Sequence, residues 1–297
     1  MILVAGATGL VGREICRLLS ERGKPVRALV RATSNPQLVD GLKKRGAETV
    51  VGDLKDAKSL EAACRNVQTV ISTVSSTFSR REGDSIESVD RQGQIRLIDA
   101  AKAAGVRRFI LISFNHQKLP ASCALSEAKN AAEQQLMRSG MEFTILRPAA
   151  FMEVWLSPAL GFDAANGKAT IYGSGKNPIS WISLFDVAAF AAAGDDNPSA
   201  RNRIIELGGP DALSPLEVVG IFEGAIGRKF ELQFVPEEAL VGQRNAATDP
   251  MQHSFATLML YYAKGDSIDL SKTAKDFPIR LKSVRDYARG SAIAAAE

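Results

Sequence analysis

The sequence predicts an α/β fold, a doubly wound parallel sheet followed by a smaller C-terminal α/β lobe. Three observations carry this. Short apolar runs alternate with amphipathic stretches of helical period through the first half, the rhythm of parallel strands joined by crossover helices. The first of those runs passes directly into a loop with glycine at every third position, Gly6, Gly9 and Gly12. After Pro148 the alternation breaks down and the segments become irregular.

Each element has its own signal. Residues 2–5 are continuously apolar and read as the first strand, and residues 11–22 form a helix closed by Gly23. Residues 26–30 give a second strand and residues 49–51 a third, ending at Gly52-Asp53. A helix over 59–64 leads to a strand at 69–72, and a long helix over 90–104 ends at Gly105. Strand 108–113, helix 126–139 with Gly140 behind it, and strand 142–147 complete the series. Beyond it, residues 170–173 and 179–182 flank a turn at Gly173–Gly175 and predict a hairpin. Asp186 is placed to cap a helix over 187–193, and 204–207 is a further strand. Helices are expected over 214–226, 236–242 and 251–262. Residues 1–150 thus predict a dinucleotide-binding domain, to which segments from about 180–208 return; 151–179 and 209–297 form the smaller substrate-binding lobe.

Composition excludes several classes of function. A hydrophobic fraction of 45% with 24% charged residues is that of a soluble globular chain, and the net charge of +4 is carried by scattered cations. No basic run with interleaved aromatics points to nucleic acid, and no apolar stretch is long enough for a bilayer. Cys16, Cys64 and Cys123 are widely separated and His116 and His253 are the only histidines, so no metal site is expected. Cys16 and Cys64 read as small buried thiols. The first strand starts at residue 2, which leaves no room for a signal peptide and gives a cytoplasmic expectation.

The segment Gly6-Ala7-Thr8-Gly9-Leu10-Val11-Gly12 lies between a strand and a helix. Gly6 allows the tight turn, Gly9 lets backbone amides approach a pyrophosphate, and Gly12 lets the helix pack closely. The helix N-terminus adds free N–H groups and partial positive charge. Together with the surrounding β-α-β unit this predicts a dinucleotide site of the Rossmann type. A site that prefers NAD places a carboxylate at the end of the second strand; here Val30-Arg31 is followed by Thr33 and Ser34, with no carboxylate before Asp40. Arg31 is suited to a 2′-phosphate, which predicts NADP(H); the alternative is a solvated strand-end charge. Asp53 is placed for the adenine amino group or is simply a turn aspartate, and Thr73 lies beside the cofactor or is an ordinary loop residue.

With Gly52-Asp53-Leu54, the segment from Ala100 to Val106, Lys129, Thr144-Ile145-Leu146-Arg147-Pro148 and Asp186-Val187-Ala188 added, the chain resembles the atypical branch of the short-chain dehydrogenase/reductase superfamily. More narrowly it resembles the NmrA-like family, near its isoflavone-reductase-like and NADPH:quinone-reductase-like members. The resemblance implies contacts to the cofactor from Gly6, Thr8, Gly9, Leu10, Val11, Gly12, Asp53 and Leu54. It implies that Lys129 holds the nicotinamide ribose, with Pro148 and Phe151 near the nicotinamide; alternatives are an exposed helix lysine paired with Glu133 and a core phenylalanine. Much of the superfamily uses Tyr-x-x-x-Lys, but the tyrosine position here is Leu125.

Ser113, at the end of a strand, stands near the superfamily serine or is neutral, Ser126 reads as an N-cap, and His116 is either structural or an acid at the strand ends. Without a phenol to donate a proton a ketone is a poor acceptor, so the expected reaction is hydride transfer from NADPH to a quinone-like or conjugated small molecule. The alternative is a non-catalytic NADP(H) sensor that binds a protein partner; a scaffold that keeps a nucleotide for stability is a third reading. Met251, Phe255, Met259, Tyr261 and Tyr262 line a pocket or, as their three- and four-residue spacing favours, form a helix core face.

Overall fold

The computed structural model describes residues 1–77, 81–117, 119–120 and 122–294. In chain order it begins with β1 (Ile2–Ala5), α1 (Leu10–Glu21), β2 (Val26–Val30), α2 (Pro36–Lys44), β3 (Glu48–Val51), α3 (Ala57–Cys64) and β4 (Thr69–Ser72). A π-helical turn (Ile86–Arg91) runs into α4 (Gln92–Ala103), followed by β5 (Arg108–Ile112), α5 (Ala124–Met137) and β6 (Glu142–Pro148). Then come α6 (Met152–Trp155), β7 (Phe162–Asp163), β8 (Lys168–Tyr172), β9 (Ile179–Ser180), α7 (Leu184–Gly194) and β10 (Arg203–Leu207). The chain continues through β11 (Ala212–Leu213), α8 (Pro215–Ile226), β12 (Glu231–Val235), α9 (Glu237–Ala246), α10 (Pro250–Ala263), α11 (Ser271–Asp276) and α12 (Val284–Ala294).

These elements fall into two compact units. The first comprises Met1–Phe114, Ala124–Arg147 and Val187–Ile205, the second Asn115–Cys123, Pro148–Asp186 and Glu206–Glu297. In the first, seven strands form one sheet in the order β10-β6-β5-β4-β1-β2-β3, and every pairing from β3 through to β6 is parallel. Such strands are covered on both faces, so they are largely apolar: β1, β4 and β5 are buried along their whole length, with Thr69, Ser72 and Arg108 at strand ends the polar exceptions. Leu3, Leu60, Leu97, Phe109, Leu136 and Ile145 belong to one core cluster of strand and helix residues. The strand order reverses between β1 and β4, and the C-terminal side of such a switch point is where an open α/β sheet leaves a crevice.

Several boundaries differ from expectation. The α2 helix had not been foreseen, although Asn35 accepts from the Gln37 N–H and Pro36 opens the helix. The helix expected to start at residue 90 begins with the π-helical turn at Ile86, capped reciprocally by Ser85 and Ser88. Ser126 is not an N-cap, because α5 starts at Ala124 and puts it inside the helix, buried. Cys16 and Cys64 are buried thiols, as is Cys123, and burial pushes Cys16 up to about 12 and Cys64 to about 11.

The expected hairpin of 170–173 with 179–182 does not form. Both edges of β8 are already taken, by β7 in antiparallel and β12 in parallel pairing, so β9 pairs instead with β11. On α10, Met259 and Leu260 pack with Leu240 and Ala263, the core-face outcome, while Tyr262 also lines a small aromatic pocket with Trp155 and Trp181.

Asp186 is not the cap of α7 either. The helix starts at Leu184, whose N–H donates to Glu153, and Ser183 accepts from the Phe185 N–H. The buried Asp186 carboxylate accepts from the Lys282 N–H instead. Burial, with Glu153 adding to it against that bond, raises its pKa from 3.8 to about 6. Between those values the folded state holds a proton that the unfolded chain releases, so this group's contribution to stability falls as pH rises from about 4 to 6. The full effect is about 3 kcal/mol at 1.36 kcal/mol per unit. Asp186→Asn should therefore gain about 2–3 kcal/mol on the wild type between pH 4 and pH 7 in denaturant unfolding; parallel stability curves would contradict this assignment.

Candidate functional site

The loop from β1 to α1 is built by missing side chains. Gly6 has φ +80°, and a Cβ there would stand 2.5 Å from Thr73 Oγ1. A Cβ on Gly12 would stand 2.2 Å from the Gly6 carbonyl oxygen and 2.7 Å from its carbon. Gly9 is less constrained, at 3.2 Å from the same oxygen, and its own N–H donates to it. The loop is thereby folded against the first turn of α1. No side chain caps that helix at Gly9, and no acidic residue lies in its first turn. Its leading N–H groups and the positive end of its dipole are left for an anion. Leu10 is exposed, Thr8 and Val11 partly buried. Arg13, in the same turn, has a buried Nε with no hydrogen-bond partner among the described residues. A glycine cradle beside a half-buried arginine fits a pyrophosphate.

The loop after β4 closes the other side. Thr73 donates through its N–H and Oγ1 to Ala5 O, at 3.0 and 3.3 Å. Val74 O accepts from Gln94 Nε2 at 2.9 Å and from Lys129 Nζ at 3.4 Å. Lys129 is buried on α5 and pairs with Asp90 at 2.9 Å. The exposed pairing with Glu133 does not form; Glu133 is itself buried and pairs with Arg147. Asp90 also accepts from the Ser76 N–H and hydroxyl, at 2.9 and 2.5 Å. Burial alone would raise its pKa, but the Lys129 charge and the Ser76 bonds outweigh this and hold it below the usual range. Asp90 therefore stays ionised, and it lies within the π-helical turn, an irregularity often found at functional sites. One turn earlier on α5, Leu125 is buried. Ser113, just beyond β5, donates its N–H to Leu146 O, while its buried hydroxyl has no partner among the described residues.

At the outer strands, Arg31 follows β2 and donates to Asp84 at 2.7 Å. Leu54 is buried against Gly93. One Asp53 oxygen accepts from the Lys55 N–H, forming a turn. The remaining sequence candidates belong to the second unit. Pro148 is buried and its carbonyl accepts from the Asn115 N–H. Phe151, half-buried, precedes α6 and bridges to Ile182, and His116 is buried in its loop.

Three polar groups were missed by sequence reasoning. Asp90 gave no signal because it lies 39 positions from Lys129 and seemed to open a regular helix. Ser76 read as a loop serine, and Arg13 as one more helix cation. No group of histidine, cysteine or carboxylate side chains suited to a metal occurs among the described residues. Nor is any helix of the described residues long and apolar enough to cross a membrane.

The model of the NmrA-like family matches residues 1–288. The chain belongs to the NmrA-like family. It is 34% identical over 233 residues to an NAD(P)H azoreductase of Xenophilus azovorans, covering 77% of this chain and 74% of the azoreductase. It is 28% identical over 244 residues to the photosystem II assembly factor Ycf39 of a Synechocystis species, covering 80% and 72%. Among solved structures, the NADPH-dependent quinone oxidoreductase QOR2 of Escherichia coli, complexed with NADPH, shares the fold. Its TM-score is 0.79 at 23% identity, covering 98% of this chain and 99% of that one.

Two outcomes follow from this geometry. Gly12→Ala forces a Cβ against backbone, an overpacking cost of about 1–3 kcal/mol. It should weaken binding of a dinucleotide roughly 5- to 100-fold in calorimetry; unchanged affinity would show that the loop is not a close-packed cradle. Asp90→Ala leaves Lys129 buried without its counter-charge and should cost about 3–5 kcal/mol in denaturant unfolding. Asp90→Ala combined with Lys129→Met should recover part of that loss, and additive losses would mean that the pair is not coupled.

Proposed function

We propose that this NmrA-like protein binds NADP(H) and is a reductase that acts on a quinone-like or otherwise conjugated small molecule, in the cytoplasm. The observation that carries the reading is the buried Lys129–Asp90 pair beside the glycine cradle. Lys129 reaches Val74, whose neighbour Thr73 packs on Gly6, so a fixed positive charge stands at the switch point of the sheet. The NAD(P)H azoreductase relative supports reductase activity and the NADPH complex of the QOR2 neighbour supports the choice of dinucleotide.

Bound NADPH supplies a hydride. The chain's own groups bind and orient. The amides at the start of α1, with Arg13, hold the pyrophosphate, and Arg31 takes the 2′-phosphate. Lys129, ion-paired with Asp90 and bonded to Val74 O, offers its ammonium to a ribose hydroxyl. The ammonium also favours the negative charge that develops on the acceptor. Ser113 offers a hydroxyl to the same region. With leucine where the phenol would stand, the acceptor must give a product anion that water protonates. Quinones, azo compounds and enones meet that requirement better than ketones.

A second reading rests on the same leucine and on Ycf39, a relative described as an assembly factor. In it the protein holds NADP(H) and signals to a protein partner without turnover.

NADPH oxidation against a panel of quinones, azo dyes and enones separates the two. The reductase reading expects turnover with at least one class, lowered by Lys129→Ala roughly 10²-fold or more, the scale of lost electrostatic stabilisation. Tight NADPH binding with no turnover on any acceptor would favour the second reading. Arg31→Ala should weaken NADPH about 10- to 100-fold and leave NADH unchanged. A wild-type protein that binds NADH as well as NADPH would refute the cofactor choice.

A further inference from the structure

Arg31 does not stand alone. The Asp84 carboxylate, in the loop before the π-helical turn, accepts from Arg31 Nη1 at 2.7 Å through one oxygen and from Lys55 Nζ at 2.9 Å through the other. Lys55 follows the Asp53-Leu54 turn after β3. Two cations from successive strand ends are thus gathered on one carboxylate. Exposure gives the arrangement a direction: the Asp84 side chain is 2% exposed, those of Arg31 and Lys55 are 37% and 36%. The anion lies underneath, and the cations face solvent. Arg81 extends the cluster, donating to the hydroxyl and carbonyl of Thr33 in the loop after β2.

One cation would match the buried Asp84 carboxylate; the second leaves the cluster with a net positive charge on its solvent side. It suits the recognition of a second anion. Arg31 and Lys55 each give one donor to Asp84, and a guanidinium and an ammonium both have further donors to offer. A lysine side chain is flexible and loses rotamer entropy when it is fixed. Tethering Lys55 to Asp84 before the ligand arrives removes much of that cost from binding.

We propose that Lys55 is a second 2′-phosphate-binding residue of this chain and that Asp84 is the positioning residue that sets Lys55 and Arg31 for it. The inference rests on the NADP(H) reading. Asp84 acts through the two cations and does not touch the nucleotide. Its loss therefore changes discrimination between nucleotides with and without the 2′-phosphate, whereas loss of a merely structural contact would weaken both alike.

Calorimetric titration of the full chain with adenosine 2′,5′-bisphosphate and with AMP tests this without any turnover. Wild type should bind the bisphosphate more tightly. Lys55→Ala should lower that preference about tenfold through the bisphosphate alone, and Lys55→Arg should restore most of it, as expected for one charge-assisted hydrogen bond. Asp84→Asn keeps the shape, removes the tether, and should lower the preference by a similar factor with AMP affinity unchanged. Equal loss for both ligands in Lys55→Ala would overturn the role of Lys55. An increased preference in Asp84→Asn would show that the carboxylate competes with the phosphate, and would overturn the positioning role. If wild type shows no preference at all, the NADP(H) reading itself falls; if the preference depends on Arg31 only, that reading stands and this inference fails.

Discussion

The Gly6 carbonyl and the first turn of α1 are so close that position 12 has no room for a side chain. This contact fixes more than a local turn. It sets where the helix begins relative to β1, and hence where its unpaired N–H groups point. It also sets how near the loop lies to Thr73, which fills the space left by Gly6. Because β1 and β4 are neighbours in the sheet, the two loops meet at the switch point, and Val74 carries the contact on to Lys129. The cradle and the buried lysine are parts of one packed arrangement.

Burying a lysine and an aspartate is expensive, and Coulomb attraction offsets the desolvation only when the remaining hydrogen-bonding capacity is met. Ser76 meets that need on one Asp90 oxygen by both its N–H and its hydroxyl. A pair replaced by apolar residues of the same volume would serve stability as well or better. What apolar residues would not supply is a fixed positive charge. The π-helical turn fits this view: it departs from regular helix at the residues that present Asp90, and Gln94 in the following turn braces Val74.

Much of this was legible in the sequence because parallel strands and their crossover helices leave strong patterns. β1, β2 and β4 were readable to the residue, since buried strands are largely apolar and Gly23 marks the end of the helix between the first two. The glycine loop was readable because its chemistry is local. Failure came where partners are distant. Asp90 and Lys129 are unconnected in any sequence pattern, and a π-helical turn has no periodicity to mark it. The second unit misled for a related reason. Two short β-prone runs flanking glycines resemble a hairpin, but which strand takes each edge depends on β7 and β12, neither of which announces itself. Asp186 resembled a cap because it precedes an apolar run; Ser183 and Glu153 already satisfy the helix start.

The placement of acidic protons narrows the chemistry further. The chain has four tyrosines, and burial pushes each of their phenols upward, making it a weaker acid than free phenol. Tyr261 is moreover bound to the Asp266 carboxylate at 2.7 Å, which holds its proton more firmly. On α5, one turn before Lys129, the buried side chain is that of Leu125 and not a phenol. Under the reductase reading proposed above, such a site would favour acceptors whose reduced form spreads its charge over a conjugated system, because protonation could then follow hydride transfer instead of accompanying it. In that reading Leu125 would act as a filter on substrate.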